Sequence, residues 1–413
     1  MQEDGSPFFY LADTAWELFH RLTKEEAQLY IGERARQGFN VIQAVALSEF
    51  DGLRTPNAYG RCPLLESDGE YDPAKPDLDG EYSYWDHVDY IINTAAQHGI
   101  YVALLPTWGD KFNIKWGKGP EIFDEQNAYA YGSFIAKRYC GFDNIIWVLG
   151  GDRPIENDKH RAVIDAMGKA IRENDPNHLI TYHPMGDSSS AEFVANKDYI
   201  DFHGTQTGHH IGTYYGHELI RKTFSLDDKP VLDLEPRYED HPACFKPQYG
   251  YYWDASDVRQ SAYYALMEGV CGHTYGNHCV WSMNDTVTEY FKYTWQDAIL
   301  HDGAEQMRYL SKLRMSRPYF EFRPSPELIC EESALNARQC SGRGDKYAFV
   351  YTPLGMPVRV YLNRLCESPV KASWFNPRNG QTQTIGITAP TESLFVPPSN
   401  GKDNDWVLIL DVM

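Results

Sequence analysis

Eight apolar, strand-like runs, at 7–12, 39–47, 100–105, 144–150, 178–183, 200–206, 230–235 and 272–277, alternate with helical patterns along the chain. This alternation limits the fold more than any other feature. A run such as Ile145-Ile146-Trp147-Val148-Leu149 has no polar face, as expected of a strand covered on both sides in a parallel sheet. The helical patterns carry their own boundary signals. Thr23 and Glu26 form a capping box, Tyr30, Ile31 and Ala35 follow at helical spacing, and Gly38 ends the pattern just before the next strand. A second pattern runs from Trp85 through Val88, Ile91, Ile92 and Ala95 to Gly99. Others fall near 126–140, 158–174, 189–196, 216–223, 254–270 and 303–314. Eight strands alternating with eight helices predict an α/β fold, a (β/α)8 TIM barrel spanning residues 1–322.

After Pro318 the texture changes to short alternating runs, among them Tyr347-Ala348-Phe349-Val350-Tyr351 and Val358-Arg359-Val360-Tyr361-Leu362, with turn signals at Asn379-Gly380 and Asn400-Gly401. This predicts a small antiparallel β-sandwich over 323–413. Within the barrel region the helix-to-strand joints are short. Several strand-to-helix segments are long, notably 48–83, 106–125, 236–253 and 278–302. Barrel active sites are built from the strand-to-helix loops, so function is expected on that rim.

Bulk properties exclude several classes of function. A net charge of −20 argues against nucleic acid and anionic membranes, which require a positive field. No run of about 18 apolar residues is present to insert into a membrane. The eight cysteines show no Cys-x-x-Cys pair and are expected to be mostly buried thiols rather than disulfides. Met1-Gln2-Glu3-Asp4-Gly5 is not a signal peptide. The compartment stays open: periplasmic or secreted if a leader was removed, cytoplasmic otherwise. Oligomeric state is not legible either.

The chemistry is expected where two strand runs end in carboxylates. Asp152 closes Trp147-Val148-Leu149-Gly150-Gly151-Asp152, and Glu235 closes Val231-Leu232-Asp233-Leu234-Glu235. Breaking a glycosidic bond passes through an oxocarbenium-like state that needs two carboxyls, one to protonate the leaving oxygen and one to attack or to activate water. The pair falls after the fourth and seventh runs, as in many barrel glycosidases. Asp152 follows two glycines that let the backbone turn sharply, and it precedes Arg153; Arg237 is the cation nearest Glu235 in sequence. Asp233 is a rival to Glu235, which is preferred because it lies nearer the loop.

Other strand ends offer ligands for sugar hydroxyls and plates for sugar faces. The first ends in Asp13-Thr14-Ala15-Trp16, the second reaches Glu49, the third Trp108, the fifth His183, the sixth Gln206 and His209, and the eighth Tyr275 and then Trp281. Asp13, Trp16, Glu49, Trp108, Arg153, His183, Gln206, His209, Tyr275 and Trp281 are therefore the expected substrate-binding residues. An aromatic content of 14% suits sugar stacking, although core filling accounts for most of it. No catalytic metal or cofactor is expected. Metal-dependent barrel hydrolases usually open with His-x-His on the first strand, and that place reads Leu11-Ala12-Asp13-Thr14. No Gly-x-Ser-x-Gly suggests a serine esterase, and no Gly-rich loop suggests a phosphate site.

Phe8-Phe9-Tyr10-Leu11-Ala12-Asp13-Thr14-Ala15-Trp16-Glu17-Leu18-Phe19-His20, Gly38-Phe39-Asn40-Val41-Ile42-Gln43, the Gly150-Gly151-Asp152 segment and Leu234-Glu235-Pro236 together closely resemble a barrel family. That family, once catalogued as domain of unknown function 4038, includes glycoside hydrolase family 140, the apiosidases. Trp374-Phe375-Asn376-Pro377-Arg378-Asn379-Gly380 resembles a C-terminal module that carries a collagen-binding label. The resemblance implies an exo-acting, retaining hydrolase with Asp152 as acid/base and Glu235 as nucleophile. It further implies removal of apiose from pectic side chains of rhamnogalacturonan II. The chain departs from the family pattern in lacking a hairpin before the first strand. The alternative from another class is a non-catalytic glycan-binding barrel, against which the presence of both carboxylates argues.

Overall fold

The computed structural model describes residues 1, 4–210, 216–331, 333–334 and 337–413. All eight expected strands are present: β1 (Tyr10–Thr14), β2 (Val41–Leu47), β3 (Tyr101–Thr107), β4 (Ile145–Gly150), β5 (Ile180–His183), β6 (His203–Gln206), β7 (Val231–Asp233) and β8 (Gly272–Tyr275). They pair in parallel in the order β5-β4-β3-β2-β1-β8-β7-β6, and Ser188–Ser189 adds a short antiparallel ninth strand beside β6. Except for Tyr101 at one end, every residue of these eight strands is buried. This accounts for their near-continuous apolar runs.

The sheet is curled, and its outer strands approach each other. The Asp201 N–H donates to the Ile180 carbonyl at 2.9 Å, and the Thr181 hydroxyl donates to the Phe202 carbonyl at 2.7 Å. No ladder joins β5 to β6 among the described residues. What stands is thus a large curled parallel sheet with helices packed on its outside.

The helices that alternate with the strands are α1 (Lys24–Arg36), α2 (Tyr84–Gln97), α3 (Glu125–Tyr139), α4 (Asp158–Asn174), α5 (Ala191–Val194), α6 (Gly216–Leu226), α7 (Ala255–Met267) and α8 (Asp302–Met315), and single turns of helix stand at Leu18–Arg21, His278–Trp281 and Trp295–Ala298. The Thr23–Glu26 capping box forms as expected, and Ser83–Asp86 caps α2 in the same way. Each box satisfies amides that the first helical turn leaves open, contributing about 1 kcal/mol. Of the long rim segments, 48–83 folds back as an antiparallel hairpin, Leu64–Ser67 against Glu70–Pro76.

The C-terminal region is antiparallel. Five strands, β9 (Cys340–Arg343), β10 (Tyr347–Thr352), β12 (Val370–Phe375), β13 (Thr382–Thr388) and β15 (Trp406–Val412), join Arg323–Pro324 in a six-stranded sheet. The other two, β11 (Val358–Tyr361) and β14 (Glu392–Phe395), form a separate ribbon. Period-two alternation divides the larger sheet's side chains. Phe349, Tyr351, Val407 and Ile409 pack with Tyr263, Leu266 and Met307 of the helical layer, whereas Ala348, Val350, Leu408 and Leu410 pack with Val358, Val360 and Phe395 of the ribbon. Arg259 of α7 reinforces the first contact through an ion pair to Asp405 at 2.7 Å.

All eight cysteines are free thiols, but only Cys279 and Cys340 are buried, and Cys140 is exposed. The expectation of mostly buried thiols is corrected, since most of them sit on loops and element ends.

Candidate active site

The backbone after β4 makes an unusual turn. Gly150, Gly151 and Asp152 have φ of 90°, 113° and 57°, the left-handed region that only glycine enters freely. Space is as tight as the conformation is strained. A Cβ on Gly150 would lie 2.4 Å from the His183 carbonyl, and one on Gly151 would lie 2.7 Å from the Gly109 nitrogen. Asp tolerates this conformation better than most residues, and Asp51, Asp68, Asp187, Asp240 and Asp403 adopt it as well. At Asp152 it turns the carboxyl toward the rim. There Oδ2 accepts hydrogen bonds from Trp116 Nε1 and Arg153 Nη1, both at 3.0 Å. The Asp152 side chain is 22% exposed.

Glu235 follows β7 and is nearly buried, at 6% exposure. Its Oε1 lies 3.0 Å from His209 Nε2, and its Oε2 lies 3.1 Å from His183 Nε2. The cation expected from the sequence does something else, because the Arg237 guanidinium lies over the Trp253 ring at 4.6 Å. Asp233, the rival carboxylate, is bound within the sheet. Its oxygens accept from the Thr205 hydroxyl at 3.2 Å and the Thr207 hydroxyl at 2.8 Å, and burial pushes it up to about 6.

Both Asp152 and Glu235 line one cavity of about 730 Å³ on the strand-to-helix rim. Their environments push them in opposite directions. Burial raises the pKa of Asp152, and the charge of Glu235 raises it further, against the opposing pull of Arg153 and the Trp116 N–H. Burial also pushes Glu235 up, but the hydrogen bond to His209 and the close His183 imidazole outweigh it and hold the carboxyl below its ordinary range. Two carboxyls in one cleft, one with its pKa raised and the other with its pKa lowered, are compatible with a general acid beside a nucleophile.

Of the expected binding residues, Trp16, Glu49, Trp108, Gln206, His209 and Trp281 line this cavity. Burial, and next the charge of Glu17, push the pKa of Glu49 well up. Arg153 and His183 stand behind the wall and act on the carboxylates rather than on the cavity.

Two further expected binding residues do not line the cavity. Asp13 and Tyr275 are register partners on adjacent strands, and both are buried away from the cavity. Asp13 Oδ2 accepts from the Tyr30 hydroxyl at 2.5 Å and from Arg34 Nε at 2.6 Å, while the Tyr275 hydroxyl donates to Glu239 Oε2 at 2.5 Å. Alternation is the reason. Tyr10 and Ala12 join the cluster inside the curled sheet, whereas Leu11 and Tyr275 join the cluster outside it.

The loops also bring residues that strand counting does not reach: Trp116, Tyr238, His241, Phe245, Tyr290 and Phe291 all line the cavity. The available signal was the density of aromatic residues in the long segments 106–125, 236–253 and 278–302. Among the described residues, two buried polar atoms of the cavity's lining side chains, Trp108 Nε1 and Gln206 Oε1, have no hydrogen-bond partner. Buried polar groups are rarely left so, and a polyhydroxylated ligand would satisfy them. Aromatic faces beside such atoms suit a sugar.

Comparison with known proteins agrees with the geometry. The model of the apiosidase-like catalytic domain matches residues 1–321. The chain belongs to the apiosidase-like family. A second model, described as a collagen-binding domain of a collagenase, matches residues 324–411. Among solved structures, a glycoside hydrolase family 5 protein from Bacteroides vulgatus ATCC 8482 is 30% identical with a TM-score of 0.91, over 100% of this chain and 91% of that one. A structure titled simply as a glycoside hydrolase is 32% identical with a TM-score of 0.90, over 100% and 94%. An endo-1,4-beta-D-mannanase from Thermotoga petrophila RKU-1, at 14% identity and a TM-score of 0.52, covers 74% of this chain and 100% of its own, and shares the fold alone. No curated protein matches the sequence. Like its apiosidase-like relatives, the protein is a glycosidase.

Proposed function

We propose that this glycosidase is exo-acting and retaining, and that it removes terminal apiose, or a closely related sugar, from pectic side chains such as those of rhamnogalacturonan II. The observation that carries the reading is the opposed perturbation of Asp152 and Glu235 across one cavity. Asp152 gives its proton to the glycosidic oxygen while Glu235 attacks the anomeric carbon, expelling the leaving group and forming a glycosyl ester. Asp152, now ionised, takes a proton from water, which attacks the same carbon and frees Glu235. A cavity of about 730 Å³ lined by Trp16, Trp108 and Trp281 supports binding of a sugar. In this reading the curled sheet closes as a (β/α)8 barrel over residues 1–322, and 323–413 is a β-sandwich that buttresses it. The collagen-binding description of that region is not extended to activity.

The test is proton NMR of a reaction with pectic oligosaccharides. A single monosaccharide should appear, first in the anomeric form it had in the substrate. Early release of the opposite anomer would contradict retention, and release of oligosaccharides would contradict exo action.

A further inference from the structure

Trp116 is 52% exposed, yet it is not a loose surface ring. Its Nε1 donates to Asp152 Oδ2, and the Arg153 guanidinium lies over its ring at 4.6 Å. The loop that carries it is anchored by a buried ion pair between neighbours in sequence. Asp110 and Lys111 are both fully buried, with Asp110 Oδ1 at 2.6 Å from Lys111 Nζ. Lys111 Nζ also donates to the Ser48 carbonyl at 3.0 Å, which ties the loop to the end of β2 beside Glu49. The second Asp110 oxygen accepts the amides of Lys118 and Gly119 at 3.1 and 2.9 Å, closing the loop just past Trp116. At Gly117 any Cβ would lie 2.2 Å from the Asp110 side chain, so the chain can pass there only as glycine. On the far side, Asn113 Nδ2 donates to the Pro154 carbonyl at 3.0 Å. Two buried charges and four hydrogen bonds thus hold an exposed indole in one place.

That place has a chemical meaning. A general acid faces the glycosidic oxygen, and Trp116 is the exposed one of the two groups bound to Asp152 Oδ2, so its ring lies where the part of a substrate beyond the scissile bond can reach it. We infer that Trp116 is the platform of the leaving-group subsite, stacking on the sugar that carries the cleaved residue, and that its N–H orients Asp152 for proton transfer. The inference rests on the hydrolase reading for the word leaving, but the platform itself is a binding claim. The Arg153 guanidinium lies over the ring at 4.6 Å, so it is the remaining exposed part of the indole that offers itself to the apolar face of a sugar ring, and the inner tryptophans are left to hold the terminal sugar.

The test uses the full chain in a Glu235→Gln background, titrated by calorimetry with rhamnogalacturonan II oligosaccharides and separately with free apiose. Adding Trp116→Ala should lower the ratio of oligosaccharide to monosaccharide affinity by about tenfold, the size expected for losing one stacked aromatic. Adding Trp116→Phe keeps a ring and should retain most of that ratio. In the otherwise native protein, Trp116→Phe removes the N–H that stabilises ionised Asp152, so the alkaline limb of kcat/KM should move to higher pH. An unchanged affinity ratio in Trp116→Ala, or no glycan binding at all, would overturn the subsite. An unmoved alkaline limb in Trp116→Phe would overturn the positioning role. Binding that behaves as expected without turnover by the native protein would reject only the hydrolase reading.

Discussion

At the scale of single residues, the account depends on what surrounds two carboxyls. Glu235 must be ionised to attack, and His183 and His209 keep its pKa low, so activity should be lost only when acid reaches that depressed value. His209→Ala removes one of the two contacts and lets burial dominate. The pKa of Glu235 then rises, and the acid limb of kcat/KM should shift to higher pH while the alkaline limb, set by Asp152, stays nearly in place. A pH profile of the variant checks this. Sequence showed the two carboxylates but not their partners. Arg237 is the near cation along the chain, yet it turns to Trp253, and His183 and His209 arrive from two other strand ends. Contacts that bridge strands have no signature in local sequence.

Elements explain both what was legible and what was not. The strands and their helices could be read because long apolar runs, capping boxes and terminal glycines act within a few residues of one another. The facing of side chains at strand ends was harder. Asp13 and Trp16 lie three residues apart at the end of β1, yet only Trp16 reaches the cavity, while Asp13 is held behind the sheet by Tyr30 and Arg34 of α1. Its role is to fasten that helix to the sheet. Asp13→Ala leaves the Arg34 charge buried without its partner and should destabilise the fold by about 3–5 kcal/mol. Denaturant unfolding measures it, and a loss under about 1 kcal/mol would show that Asp13 is not the anchor. The rim loops were the least legible elements. Their lengths marked the functional face, but the position of Trp116 depends on the Asp110–Lys111 pair, which in sequence is an ordinary pair of surface-type charges.

For the whole molecule, the helical layer and the C-terminal sheet share one apolar cluster, in which Tyr263 stacks on Tyr351 with ring centroids 5.0 Å apart. A chain ending at residue 322 would expose that cluster and leave Arg259 without Asp405. It should aggregate or unfold well below the full protein, whose two regions should melt in one calorimetric transition; two separated transitions would show that the regions are independent. The central claim concerns the carboxylate pair that this architecture brings together, and azide tests it most directly. In Glu235→Ala, azide takes the place of the missing nucleophile and should give a glycosyl azide of inverted configuration. In Asp152→Ala, supplied with a substrate whose leaving group needs no proton, azide should instead intercept the glycosyl ester and give the retained product. Proton NMR of the two azides decides the assignment: opposite configurations in that order are predicted, and the same configuration from both variants, or native turnover in either, would contradict it.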